Sequence, residues 1–251
     1  LYANDSQSTI FYTVCSRIFL EIRSSLNSTF FFNFKLGQFD HKRLQSRFGS
    51  NDDDLPIFHA LTLLLKGNPI LLYGDEIEFS DDDKFMKWDK SINCGFSSSN
   101  VTKVAADECK GSVKEAFAHG SGETLVNVYQ KLLKLKQEPS LNWGEIRFAA
   151  EAETANSVIS YARVAKRFDG YIVAANLQDE SHLVDFEQLY PGVPDEFTVA
   201  YFYSKKGGSG DFETGKTVSN ANINLKSGEF LVLKFSTSPS KGDDAKPAKL
   251  H

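Results

Sequence analysis

A short apolar run, Ile70-Leu71-Leu72-Tyr73, lies between a Gly67-Asn68-Pro69 turn and an acidic Gly74-Asp75-Glu76. A continuous run of this length suits a parallel strand covered on both faces. Its C-terminal end then delivers two carboxylates, Asp75 and Glu76, to a surface. The residues before it predict a helix over 52–66. Asp52, Asp53 and Asp54 sit at its positive N-terminal end, Pro56 falls in its first turn, and Phe58, Leu61, Leu64 and Leu65 supply a wide apolar face. Gly67 ends it. Upstream again, Phe30, Phe31, Phe32 and Phe34 read as a strand that runs through Leu36-Gly37-Gln38-Phe39 to an acidic loop at Asp40. Strand, helix and strand within so short a stretch make a βαβ unit.

The rest of the chain has a different rhythm. Residues 77–122 read as a long irregular loop, and 124–136 as an amphipathic helix stopped by Pro139. After Trp143 come short runs rich in Val, Ile, Tyr and Phe, at 157–162, 170–176, 197–203, 217–225 and 229–235. Turn clusters such as Lys206-Gly207-Gly208-Ser209-Gly210 separate them, which predicts an antiparallel sheet domain. The expected organisation is an α/β portion over 1–142, an all-β domain over 143–236 and a disordered tail over 237–251. Within the first portion, 10–22 fits an amphipathic helix.

Charge and composition remove several function classes. The net charge is -5 and no basic stripe is present, which argues against a nucleic-acid partner. Asp81-Asp82-Asp83 and Asp52-Asp53-Asp54 lack the alternating spacing of a calcium loop. His59, His119 and His182 are scattered, so neither metal nor cofactor is expected. No segment reaches the roughly 18 to 20 apolar residues that a membrane-spanning helix needs. The chain starts without Met and without a signal peptide, which suggests a piece of a longer protein. Of three cysteines, Cys94 and Cys109 flank a polar loop and are placed to pair in an oxidising compartment, leaving Cys15 over. Glycosylation sequons occur at Asn4, Asn27 and Asn100, the last between those two cysteines.

Three segments in order resemble the α-amylase superfamily. Gly67-Asn68-Pro69 through Tyr73-Gly74-Asp75-Glu76 is similar to the end of the eighth barrel strand. Leu36-Gly37-Gln38-Phe39-Asp40-His41-Lys42-Arg43 resembles the Gly-Asn-His-Asp-x-x-Arg segment ending strand seven. Met86-Lys87-Trp88-Asp89 through Gly95-Phe96-Ser97 resembles the Met-Gln-Trp-Asp…Gly-Phe-Ser segment of α-glucosidase-like members. The resemblance, over roughly 33–235, implies the C-terminal part of a TIM (β/α)8 barrel followed by an antiparallel β-sandwich. Glycoside hydrolysis needs a pair of carboxylates flanking the bond. The resemblance puts those two on barrel strands four and five, outside this chain, and leaves Asp40 as the counterpart of the transition-state-stabilising aspartate.

Two departures from the enzymes of the family matter. Phe39 stands where the resemblance places a sugar-binding His, and Gln38 replaces the preceding Asn. Losing a donor aimed at a substrate hydroxyl costs about 1–3 kcal/mol of binding or more. The link from Glu76 to Met86 is also short, where the glucosidases resembled carry an insertion that walls the sugar pocket. Both features resemble the heavy subunits of heteromeric amino-acid transporters. That likeness implies no catalytic residue and a partner in the transporter light chain. It also implies a type II plasma-membrane glycoprotein facing outward, acting in partner stabilisation and trafficking. An α-glucosidase or maltase-like hydrolase, with carbohydrate as ligand and Asp40 as stabiliser, is the alternative. Asp75 and Glu76 are expected to pair with Arg43 and Arg47 and hold the strand end.

Overall fold

The computed structural model describes residues 33–35, 42–48, 54–80, 83, 85–99, 104, 106–118, 124–149, 158–205, 207 and 211–237. The chain divides into two compact units, one formed by 33–63 and 68–135, the other including 64–67 and 136–251.

In the first unit, strand β1 (Asn33–Lys35) pairs in parallel with β2 (Asn68–Ile70), Phe34 opposite Pro69. Helices α1 (Leu44–Phe48) and α2 (Leu55–Leu64) lie between them in sequence, completing the βαβ unit. Helix α2 is buried all round, as an apolar helix without a polar stripe must be. Its first turn is anchored by the Asp54 carbonyl, which accepts from the amides of Ile57 and Phe58 at 2.9 and 3.2 Å. The expected strand over 70–73 is displaced towards the turn. Pairing stops at Ile70 because the amide of Leu72 donates instead to the Asp75 carboxylate, 3.0 Å away.

The segment after β2, read as irregular, is locally ordered in its described parts. Short 3-10 turns occur at Asp75–Ile77, Ile92–Gly95 and Ala106–Cys109, followed by helix α3 (Val113–Ala118). Helix α3 opens on a capping box: Ser112 Oγ accepts from the Glu115 amide at 3.3 Å, and Glu115 Oε2 accepts from the Ser112 amide at 3.2 Å. Helix α4 (Leu125–Leu135) has the alternation expected of it. Its Val126 packs with Ile77, Phe79 and Met86, so the loop contributes a small core of its own.

The second unit is built on a six-stranded antiparallel sheet. Pro139 does not merely stop a helix: it opens α5 (Pro139–Asn142), where its missing N–H costs nothing. Strands β3 (Glu145–Phe148), β4 (Ile159–Val164), β5 (Gly170–Asn176), β7 (Glu196–Ser204), β8 (Thr217–Ser219) and β10 (Glu229–Phe235) form the order β3-β4-β5-β10-β7-β8. A separate ribbon pairs β6 (His182–Val184) with β9 (Ile223–Leu225). The expected strand over 217–225 is therefore two strands serving different sheets. The break falls where Asn222 takes φ 58°, a left-handed conformation that Asn tolerates. The ribbon and the large sheet share one core. Val184, Ile223 and Leu225 of the ribbon cluster with Ala162, Ile172, Ala174, Val199, Leu231 and Leu233 of the sheet. Helix α6 (Phe186–Leu189), capped by Asp185 Oδ1 accepting from the amides of Glu187 and Gln188, adds Phe186 and Leu189 to that core.

Candidate functional site: the end of strand β2

Past Ile70 the chain turns on itself. The Asp75 amide donates to the Leu72 carbonyl at 3.0 Å while the Asp75 carboxylate accepts the Leu72 amide, closing the turn from both sides. Gly74 sits at φ 88° with the Phe79 ring packed where a Cβ would stand, so only glycine fits. Arg43 completes the corner. Its Nη1 donates to the Tyr73 carbonyl at 2.6 Å and lies 3.6 Å from Asp75 Oδ1, with the guanidinium carbon 5.5 Å from the centre of the Phe79 ring.

The electrostatics follow from burial. Asp75 is only 4% exposed, and burial raises its carboxyl above the usual range. The Leu72 amide and the Arg43 guanidinium pull it down without overcoming that desolvation, and Glu76 adds to the rise. Within the same unit, the buried Tyr129 hydroxyl of α4 is hydrogen-bonded to His59 Nδ1 of α2. Desolvation lowers His59 to about 4, so its ring is neutral, while burial and the charges of Asp75 and Glu76 push Tyr129 up.

Tyr73 links this corner to the next segment. The residue is 52% exposed, but its hydroxyl accepts from the Met86 amide at 3.1 Å. From there Trp88 and Asp89 both donate their amides to the Cys94 carbonyl, at 2.8 and 3.2 Å, and the carbonyls of Lys87 and Trp88 receive the amides of Val113 and Lys114. Cys94 is joined to Cys109 by a disulfide with Cα atoms 5.2 Å apart. Asn93 braces the same loop, its Nδ2 donating to the carbonyls of Ser97 and Ser99 and its Oδ1 accepting from the Val104 amide. Asp89 is committed too. Its Oδ1 takes the Ser91 amide at 2.8 Å and the Ser91 hydroxyl at 2.5 Å, and these bonds hold the carboxyl below its usual range. Lys90 lies 2.5 Å from Glu115, which with the Ser112 bonds depresses Glu115 to about 2.

Of the site residues expected from the sequence, Arg43, Asp75, Cys94 and Cys109 therefore meet in specific contacts. Glu76 is half-buried on the same turn. Arg47 lies on α1, and its side chain is outside the described set. Asp40, Phe39, Gln38 and the sequons at Asn4, Asn27 and Asn100 fall outside the described residues. Among the described residues, no group of three His, Cys, Asp or Glu side chains could hold a metal, and no helix is long and apolar enough to cross a membrane. The sequence reading missed the Ser112–Glu115 capping box, although its Ser-x-x-Glu spacing was visible. It also missed the His59–Tyr129 pair, which only the packing of two helices reveals.

The architecture has relatives of known structure. The trehalulose synthase MutB from Pseudomonas mesoacidophila superposes with a TM-score of 0.63 over 88% of this chain and 46% of its own, at 16% identity. An isomaltulose synthase mutant from Erwinia rhapontici, solved with sucrose, gives 0.64 over 92% and 47%, also at 16% identity. In sequence, Maltase A1 of Drosophila melanogaster is 27% identical over 189 residues, 63% of this chain and 31% of the fly protein. The amino acid transporter heavy chain SLC3A1 of Mus musculus is 25% identical over 225 residues, 82% of this chain and 31% of the mouse protein. Its sequence relatives thus include a maltase and a transporter heavy chain, and its structural neighbours are enzymes of the α-amylase family. No family model matches it. The chain spans about a third of the length of the curated relatives it matches. Both an enzyme lineage and a transporter-subunit lineage of the superfamily are thus among its relatives.

Proposed function

We propose that this chain is the closing part of an amylase-type barrel and a C-terminal β-sandwich belonging to an amino-acid transporter heavy subunit. In this reading it is non-catalytic, faces outward at the plasma membrane, and works by stabilising a light chain and carrying it to the cell surface. The observation that carries the reading is in the sequence at Phe39-Asp40: a Phe stands where the resemblance to the family's enzymes places a sugar-binding His. The heavy-chain match, which runs over 82% of the chain, supports it. So does the strand-end corner, where Asp75 is occupied with Leu72 and Arg43. Asn4, Asn27 and Asn100 are then glycan acceptors, and the Cys94–Cys109 bond fits the oxidising compartment this requires.

A second reading, an α-glucosidase with Asp40 as transition-state stabiliser, is favoured by the 27% identity to Maltase A1. Co-expression separates the two. Full-length protein expressed with a transporter light chain should raise the light chain's surface labelling several-fold over the light chain alone. An unchanged surface level, together with maltose turnover, would select the second reading.

A further inference from the structure

Two cations of the second unit share one small region that the proposed function does not use. Arg163 of β4 is fully buried; its Nη1 donates to the Leu64 carbonyl at 2.6 Å and its Nη2 to the Gly144 carbonyl at 3.0 Å. Among the described residues, its Nε has no hydrogen-bond partner. Lys136 is half-buried and donates Nζ to the Leu65 carbonyl at 2.5 Å. The two side chains therefore grip successive peptide carbonyls at the end of α2. Among the described residues, neither has an ion pair with a carboxylate. Against these two positive charges, the described residues set a helix C-terminus, which supplies roughly half an elementary negative charge.

We propose that the Lys136 amine is a carbon dioxide site, forming a carbamate whose carboxylate pairs with the buried Arg163 guanidinium. The amine lone pair attacks the carbon of carbon dioxide, a C–O π pair moves onto oxygen, and one proton leaves to solvent. Lys–NH2 and CO2 thus give Lys–NH–COO⁻ and H⁺, with no other reactant. The modification replaces one of two crowded cations by an anion and offers an acceptor to the unpartnered Nε. The reaction needs a neutral amine, and burial together with the Arg163 charge lowers Lys136 to about 7. The site is independent of whether the protein is a transporter subunit or an enzyme.

The test uses full-length protein equilibrated with isotope-labelled carbon dioxide at slightly alkaline pH, followed by alkyl-oxonium trapping of carbamates and peptide mapping. Labelling at Lys136 should exceed that at the exposed Lys134 by at least about tenfold, because only an amine neutral at that pH reacts. Lys136→Arg should lose the adduct, and Arg163→Gln should lower it. The wild-type protein decides alone if a variant misfolds: an unlabelled Lys136 beside labelled surface amines overturns the proposal. Undiminished labelling in a folded Arg163→Gln variant overturns the pairing.

Discussion

The corner after β2 and the sheet of the second unit keep their shapes by different means. In the sheet, every residue of β5 is buried, and β10 is buried at all but one position, so shape is set by interlocking apolar side chains. At the corner and in the segment it leads to, shape is set by directed contacts: a carboxylate on a backbone amide, a guanidinium on a carbonyl, and further on a disulfide. An apolar core tolerates drift in sequence so long as volume and pattern persist. Directed contacts require particular residues. This is why the corner carries the recognisable motifs while the sheet is recognised only by its rhythm.

The contrast can be broken most sharply from the sheet side. Phe186→Ala, which empties the centre of the shared core, should cost about 3–5 kcal/mol in chemical denaturation. A loss below 1 kcal/mol would show that the core is not continuous between sheet and ribbon. Next comes the buried histidine of the first unit. The folded state depresses His59 from its ordinary 6.5 to about 4, so its contribution is complete above pH 6.5 and disappears as pH falls towards 4. That shift is worth about 3 kcal/mol. His59→Gln should flatten this part of the stability–pH curve, and an unchanged slope would mean that another group is responsible. Removing the disulfide with Cys94→Ala and Cys109→Ala should cost about 3 kcal/mol or somewhat less, given a loop of 15 residues. Its effect should appear as local proteolysis between 94 and 109 before global melting. Arg43→Met should have the smallest effect, about 1–3 kcal/mol, because it strands the buried Asp75. The loss should shrink as pH falls, since Asp75, with its raised pKa, then becomes protonated. A constant loss would place the role of Arg43 in packing alone.

The sequence carried the βαβ unit because each of its signals is local: acidic residues before a helix, glycine after it, an apolar run, then a turn. Five β segments were legible for the same reason. Strands β3 and β6 were not, since Glu145–Phe148 and His182–Val184 are short and partly exposed, and β6 pairs with a strand about forty residues on. The Arg43–Asp75 contact was expected because both residues stand in recognisable segments. The His59–Tyr129 pair spans 70 residues and has no local signature, and the Lys136–Arg163 region depends on a helix end being met by a strand far along the chain.

The central claim is that Phe39 marks a site that has lost its sugar chemistry, and maltose turnover by the purified full-length protein tests it most directly. The account predicts no turnover above a no-protein control, with Asp40→Asn indistinguishable from wild type. Robust hydrolysis that Asp40→Asn abolishes would contradict it.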